Sequence, residues 1–393
     1  MTVAGKAKRL LDYLVGRQTE MVELLSALAT AESPSHLPEA QRPVQKILEA
    51  ALGDDGFRVR HVSGQRTGGQ LLAVPQRRTH GQPSQVMLGH CDTVWPLGTL
   101  ETMPVDLRDG RLHGPGVYDM KAGLVQAIFA VRAVHQLGFN LDIAPVFFIN
   151  SDEEIGSPES SAHIRRLAGS ADRVFVMEPS LGPAGKLKTR RKGVGRFIIR
   201  VIGRAAHAGL SPEEGVSAIL ELSHVVQELF SLNDPERGIT VNVGTIDGGL
   251  RPNVIAPEST AEVDVRVATT ADAEFIEKTI HSLEPTTPGT RLEITGRIGR
   301  PPMEKTPGNQ KLWEFAQEAA DELGLEIDEG MAGGGSDGNS TSQFTPTLDG
   351  MGAVGDGAHA VTEFVDVEQM PQRAALLARM LLYPAMQETT TAG

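Results

Sequence analysis

The chain has 393 residues, 40% of them hydrophobic and 22% charged, and a net charge of −13. That length exceeds what one hydrophobic core usually serves, so two domains are expected. The acidic balance speaks against nucleic acid or an anionic membrane as the main partner, and the single cysteine, Cys91, can form no internal disulfide, so nothing requires an oxidising compartment.

The opening stretch, "MTVAGKAKRLLDYLVGRQTEMVELL", places apolar residues at helical spacing but interrupts them with charges. It predicts one amphipathic helix running into "AESPS", not a signal peptide, and no segment reaches transmembrane length. A cytoplasmic enzyme or binding protein is the expected class. A second helix is predicted over Pro43–Leu52, then β-type runs at 57–62, 70–74 and 85–89, a helix near 121–137 and the buried strand "APVFFIN". A helix near 158–168 leads to the strand "RVFVME", and this alternation predicts an α/β layered sheet. After about residue 188 the rhythm changes. "GRFIIRVIG", a helix over 215–232, "GITVNVGTI", "STAEVDVRV", a helix near 272–283 and "TRLEITGRI" predict an inserted α+β sandwich at 189–301. The α/β character returns from residue 302, with helices near 309–323 and 368–386, and the polar tail "ETTTAG" is expected to be disordered.

Five places carry chemistry. In "QVMLGHCDTVWP" side chains alternate faces, so His90 and Asp92 share a side and Cys91 points away. That opposes a thiol nucleophile and suits a histidine whose N–H is received by a carboxylate, as for metal-bound imidazoles. Alone, the pair equally suits a polar loop start. In "HGPGVYDMKAG" glycines and a proline crowd Asp119, which either aims into a cleft at a strand's carboxyl end or caps the next helix. In "FFINSDEEIGSPES" a strongly apolar strand delivers Asp152, Glu153 and Glu154 to its end. Gathered carboxylates repel unless a cation or shared proton joins them; one Glu can then ligate a metal while the other removes a proton from the attacking water. A solvated acidic turn is the plain alternative. "DRVFVMEPS" ends a strand in Glu178, and "GDGAHAVTEF" holds His359 in a glycine-rich loop. Jointly, two His and three carboxylates suit two divalent ions with Asp119 between them, and nitrogen plus oxygen donors without thiolate favour zinc, with cobalt or manganese as substitutes.

These motifs, with "AHAG", "RPNVIAP", "AEVDVR" and "GGGSD", occur in the order seen in the M20 family of co-catalytic zinc peptidases and deacylases. The chain most closely resembles that family's glutamate carboxypeptidase (carboxypeptidase G2-like) branch. The resemblance implies a zinc-exopeptidase-like catalytic domain, 1–188 and 302–393, with a mostly parallel mixed sheet flanked by helices. It further implies that 189–301 is a lid and dimerisation domain, making a homodimer. It assigns two zinc ions per subunit: one on His90 and Glu178, the other on Glu154 and His359, with Asp119 bridging. Asp92 would orient His90, Glu153 would be the general base, and His207 an oxyanion donor acting in the partner subunit. Asn253 and Arg266 match positions used around the substrate. Ala122 and Ala206 depart from residues common in the family, without removing a ligand.

The expected substrate is a small N-acyl amino acid or short peptide. Its C-terminal carboxylate calls for a fixed cation, for which Arg266 is the best candidate, with Lys186 and Arg300 at the domain crossings and Gly334 as further contacts. Glutamate as leaving amino acid rests on the resemblance alone; aspartate, another N-acyl amino acid (aminoacylase or acetylornithine deacetylase chemistry) and dipeptides stay open. "GGSDG" formally matches a serine-hydrolase elbow at Ser336 with His359 downstream, but "DEGMAGGG" before it reads as a poor strand. A non-catalytic binding module is disfavoured because every expected ligand and the base are present.

Overall fold

The computed structural model describes residues 3–386; the tail "ETTTAG" lies outside them. The chain divides into two compact units, one running to Thr189 and taking in Lys305–Met331 and the chain from Ser336, the other comprising Arg190–Glu304 and Ala332–Gly335.

The first unit is built on a six-stranded sheet in the order Phe57–Val62, Gln70–Pro75, Ala144–Asn150, Ser84–His90, Arg173–Val176, Thr347–Leu348. The first two strands form a hairpin, and Gln70–Pro75 runs antiparallel to Ala144–Asn150. From there on every pairing is parallel. Ser84–His90 and Ala144–Asn150 are buried at all seven positions, as expected of strands covered on both faces. Parallel pairing in register, His90 with Asn150 and Leu88 with Val176, brings their carboxyl ends to one edge. On one face lies the helix Ala122–Gln136, with twelve buried residues; the helices Val3–Val15, Pro307–Leu323 and Met370–Met380 share its apolar cluster through Leu10, Leu312 and Leu377.

The second unit is an antiparallel four-stranded sheet, Thr240–Gly248, Glu258–Val267, Gly193–Ile202, Arg291–Arg300. Period-two alternation sends Phe197, Ile199 and Val201 into a core shared with Leu222 and Leu229 of the helix Ala218–Ser231 and Ile276 and Ile280 of Thr270–His281. Arg196 and Arg200, on the other face, pair with Glu262 and with Glu258 and Glu293.

Several expectations are revised. The opening helix is two, Val3–Val15 and Gln18–Thr30, broken at Gly16 and Arg17. The second helix begins at Pro38 rather than Pro43, because a proline suits the first helical position and Pro43 is tolerated inside. The last helix is shorter, Met370–Met380. "DEGMAGGG" does contain a strand, Glu329–Ala332. A small sheet of two- and three-residue strands, Gly355–Asp356, Phe364–Asp366, Arg111–His113 and Asp106–Arg108, has too short a hydrophobic pattern to be read from sequence.

Candidate metal centre

The edge where the parallel strands end gathers the candidate metal ligands and the candidate base. His90 closes its strand; Asp119 lies in the tight turn before the helix Ala122–Gln136. Glu153 and Glu154 occupy a short 3-10 turn after Ala144–Asn150, and Glu178 follows two residues after Arg173–Val176. His359 sits in the loop between two of the short strands, at φ 61. A left-handed backbone is rare for a residue with a side chain, and such positions concentrate at functional sites.

The two carboxylate oxygens of Asp119 face different histidines: Oδ1 is 3.2 Å from His90 Nε2, and Oδ2 is 3.3 Å from His359 Nε2. Glu154 Oε2 lies 3.1 Å from His359 Nε2, and Glu178 Oε1 3.7 Å from His90 Nε2. Ligand atoms of His90, Asp119 and Glu154 all lie within 4.8 Å of one another, as do those of His90, Glu153 and Glu178. The other nitrogen of His90, Nδ1, is 3.0 Å from the backbone oxygen of Asp92 and 3.3 Å from its carboxylate. Both partners accept, so Nδ1 carries a hydrogen, and Nε2, which faces the carboxylates, would offer its lone pair to a cation held there.

Burial alone disfavours a charged His90 ring, but hydrogen bonds to Asp119 and Asp92 outweigh it and hold its pKa well above the ordinary value. Burial likewise opposes charge on Asp119, yet the two histidines bring it well below the usual carboxylate range. Hydrogen bonds to Asp119 and Glu154 raise His359 to about 10, while burial pushes Glu154 up to about 7. Glu154 Oε1 is buried without a hydrogen-bond partner among the described residues. An orphaned carboxylate oxygen, crowded acids and two imidazoles, with no thiolate, form a donor set that fits divalent cations of the zinc type.

Two residues outside the expected set support the cluster. Ser35, in the "AESPS" loop, donates to Asp92 Oδ2 at 2.7 Å. The backbone N–H groups of Glu153 and Glu154 also point to Asp92, at 3.3 Å each. Glu363, four residues past His359, is buried beneath the Asp119 turn. Neither has a sequence signature: a serine beside proline and an acid between polar and aromatic residues are ordinary loop residues. Gly123 is required where it stands, since a Cβ there would come within 1.9 Å of the Met177 carbonyl oxygen, next to Glu178.

The remaining nucleophiles are placed elsewhere. Cys91 is fully buried in the apolar cluster, and burial pushes its thiol up to about 12. Ser336 is also buried; its hydroxyl donates to Asp349 at 2.6 Å and caps the short helix Asp337–Thr341. His359 bonds Asp119 and Glu154 instead, so the elbow reading has no base.

In the second unit, His207 is exposed and its Nδ1 accepts the backbone N–H groups of Gly209 and Leu210 at 3.2 and 3.1 Å. A bridge between His207 and Val254 sets Asn253 beside it, with Ala208 N–H donating to the Asn253 carbonyl. The Arg266 guanidinium is held in a two-point contact by Asp264, 2.8 and 2.9 Å. The Gly334 carbonyl accepts from Arg191, and Arg300 ends the strand Arg291–Arg300, opposite Val194. Lys186, in the first unit, pairs with Asp328 at 2.6 Å.

Comparison with known proteins identifies the family. The chain is 27% identical to carboxypeptidase G2 of Pseudomonas sp. (strain RS-16) over 376 residues, 93% of this chain and 89% of the relative. It is 29% identical to succinyl-diaminopimelate desuccinylase of Acidovorax ebreus (strain TPSY) over 345 residues, covering 81% of this chain and 84% of that one. Its fold matches a Bacillus subtilis protein described as a dinuclear metal-binding peptidase of the M20 family, with a TM-score of 0.70, 15% identity and coverage of 93% and 98%. The model for peptidase family M20/M25/M40 matches residues 86–383. The chain therefore belongs to the M20/M25/M40 peptidase family and is a hydrolase of that family.

Proposed function

We propose that this enzyme cleaves the amide bond of a C-terminal amino acid, glutamate foremost, from an N-acyl or short peptidyl substrate. The observation that carries the metallohydrolase reading is the division of Asp119 between His90 and His359, one oxygen to each. His90 and Glu178 would hold one zinc ion and Glu154 and His359 the other, with Asp119 common to both. Bound there, two divalent cations polarise the scissile carbonyl and acidify the attacking water. Glu153, whose carboxylate lies within 4.8 Å of ligand atoms of His90 and Glu178, takes the proton from water and returns it to the leaving amine. Because both backbone contacts of His207 donate to Nδ1, Nε2 keeps the hydrogen and can stabilise the developing oxyanion. Asn253 would contact the substrate beside it, and Arg266, with Lys186, Arg300 and Gly334 as lesser contacts, would receive the terminal carboxylate after exchanging Asp264 for it.

The carboxypeptidase reading is supported by the carboxypeptidase G2 relative; glutamate as the residue released rests on the motif resemblance to the glutamate carboxypeptidase branch. A second reading, removal of an N-acyl group such as succinyl from an amine, is supported by the desuccinylase relative. We further infer a homodimer through the inserted unit, whose Leu210, Ile246 and Leu250 are 81%, 60% and 71% exposed. A cytoplasmic location fits the single buried cysteine; among the described residues no helix is long and apolar enough to cross a membrane. The test is kcat/KM of zinc- or cobalt-loaded enzyme across N-acyl substrates ending in Glu, Asp, Ala and Arg, with an N-succinyl amine alongside. Glutamate should lead. A preference for alanine or arginine overturns the glutamate reading, and turnover of the succinyl substrate alone selects the second.

A further inference from the structure

Glu363 is 1% exposed, and its two carboxylate oxygens accept four N–H groups. Oε1 accepts the backbone N–H of Tyr118 at 2.9 Å and of Asp119 at 3.1 Å. Oε2 accepts the backbone N–H of Gly116 at 3.0 Å and the indole N–H of Trp95 at 3.1 Å. A single buried acid thus ties together three segments: the loop that follows His90 and Asp92, the turn that carries Asp119, and its own loop four residues past His359. Buried carboxylates need such partners, and four amide-type donors satisfy every principal acceptor position of this one. One of the four is the main-chain amide of Asp119 itself, so Glu363 holds the backbone from which both Asp119 oxygens project.

We propose that Glu363 is a positioning residue for both metal sites: by fixing the Asp119 turn against the Trp95 and His359 loops, it sets where the shared ligand meets His90 and His359. The proposal rests on the two-metal reading above. In Glu363→Gln, one oxygen is replaced by an NH2 group that faces two N–H donors. Donor then meets donor, and the turn carrying Asp119 must shift while the side-chain volume is kept. Outer residues that orient metal ligands typically govern affinity by roughly 10–100-fold. Since Asp119 is common to both sites, both ions should loosen together.

The test is zinc titration of the full chain against a competing chromophoric chelator, with thermal melting of each variant. Glu363→Gln should bind two zinc ions, each roughly 10–100-fold more weakly than wild type. Trp95→Phe, which keeps a ring and removes one of the four donors, should weaken zinc by a smaller factor. Glu221→Gln is the structural control. Glu221 is a buried acid of the inserted unit that accepts the N–H groups of Thr286 and Thr287 at 2.9 and 2.6 Å; its variant should melt lower yet hold zinc as wild type does. Unchanged zinc affinity in folded Glu363→Gln overturns the proposal, as does equal loosening in Glu221→Gln. Should Glu363→Gln not fold, Trp95→Phe decides: weaker zinc supports the proposal and wild-type affinity overturns it. A wild-type chain that takes up no zinc overturns the two-metal reading and this proposal with it. Two tightly held ions in both wild type and Glu363→Gln overturn the proposal alone.

Discussion

The two units hold their candidate residues in contrasting ways. In the first, His90 and Asp92 are buried and bonded to each other, and His359, half-exposed, is tied to Asp119 and Glu154. In the second, His207 and Asn253 stand exposed on two segments joined by a single bridge, and Arg266 is engaged by an acid two residues away on its own strand. A metal site needs several donors converging within a few ångströms before the ion arrives, and parallel strand ends supply that convergence. A substrate contact must stay open to exchange partners, so only its local backbone geometry can be set in advance. Disturbing the first unit should therefore remove chemistry or metal, whereas disturbing the second should leave the metal in place.

The largest effect tests the first half of that contrast. Glu153→Ala should lose about 10²–10⁴-fold in kcat while zinc content, measured by atomic absorption, stays at the wild-type value; near-normal turnover would refute the base assignment. His207→Ala should cost about 10²–10³-fold in kcat, again with full zinc, and with a melting temperature close to wild type because the ring is exposed. Loss of zinc in His207→Ala would erase the distinction between the units.

How much of this was legible follows the same division. The sheet could be read because its strands are continuously apolar, "QVMLGH" and "APVFFIN" among them, and the sandwich because Phe197, Ile199 and Val201 alternate with Arg196, Ile198 and Arg200. Ligand candidates were visible because each acid or histidine stands just past an apolar run. Their mutual distances were not, since these depend on strand order, and strand order leaves no mark in any single segment. Ser35 and Glu363 were illegible for a related reason. Ser35 meets Asp92 from 57 residues away, and Glu363 meets Gly116 from 247. The short sheet around His359 escaped because two- and three-residue strands carry no period. The contact of Arg266 with Asp264 was readable in principle, as residues i and i+2 of "VDVRV" share a face.

The smallest effect concerns protons, and it distinguishes the units without any substrate. In the metal-free chain, hydrogen bonds to Asp119 and Glu154 raise His359 from its ordinary 6.5 to about 10. A group that holds its proton more tightly when folded adds stability that is fully present below the unfolded pKa and is lost as pH rises through the folded one. Burial raises Glu154 from 4.5 to about 7, so its folded form also keeps the extra proton, and its contribution likewise falls with rising pH. Both signs agree: the melting temperature of chelator-treated protein should drop by a few degrees between about pH 4.5 and about pH 10, through Glu154 up to about pH 7 and through His359 above about pH 6.5. Zinc held by the proposed ligands should reverse the sign: ligands must be deprotonated, so the ion would compete with protons for His359 and Glu154 and stabilise the loaded chain more as pH rises. His359→Phe should lessen the metal-free slope above about pH 7, leaving the part that His90 contributes, and substitution at exposed His207 should leave it as in wild type. A metal-free melting temperature that rises over this range, or a slope that His359→Phe leaves untouched, would show that these protons are not held by the cluster.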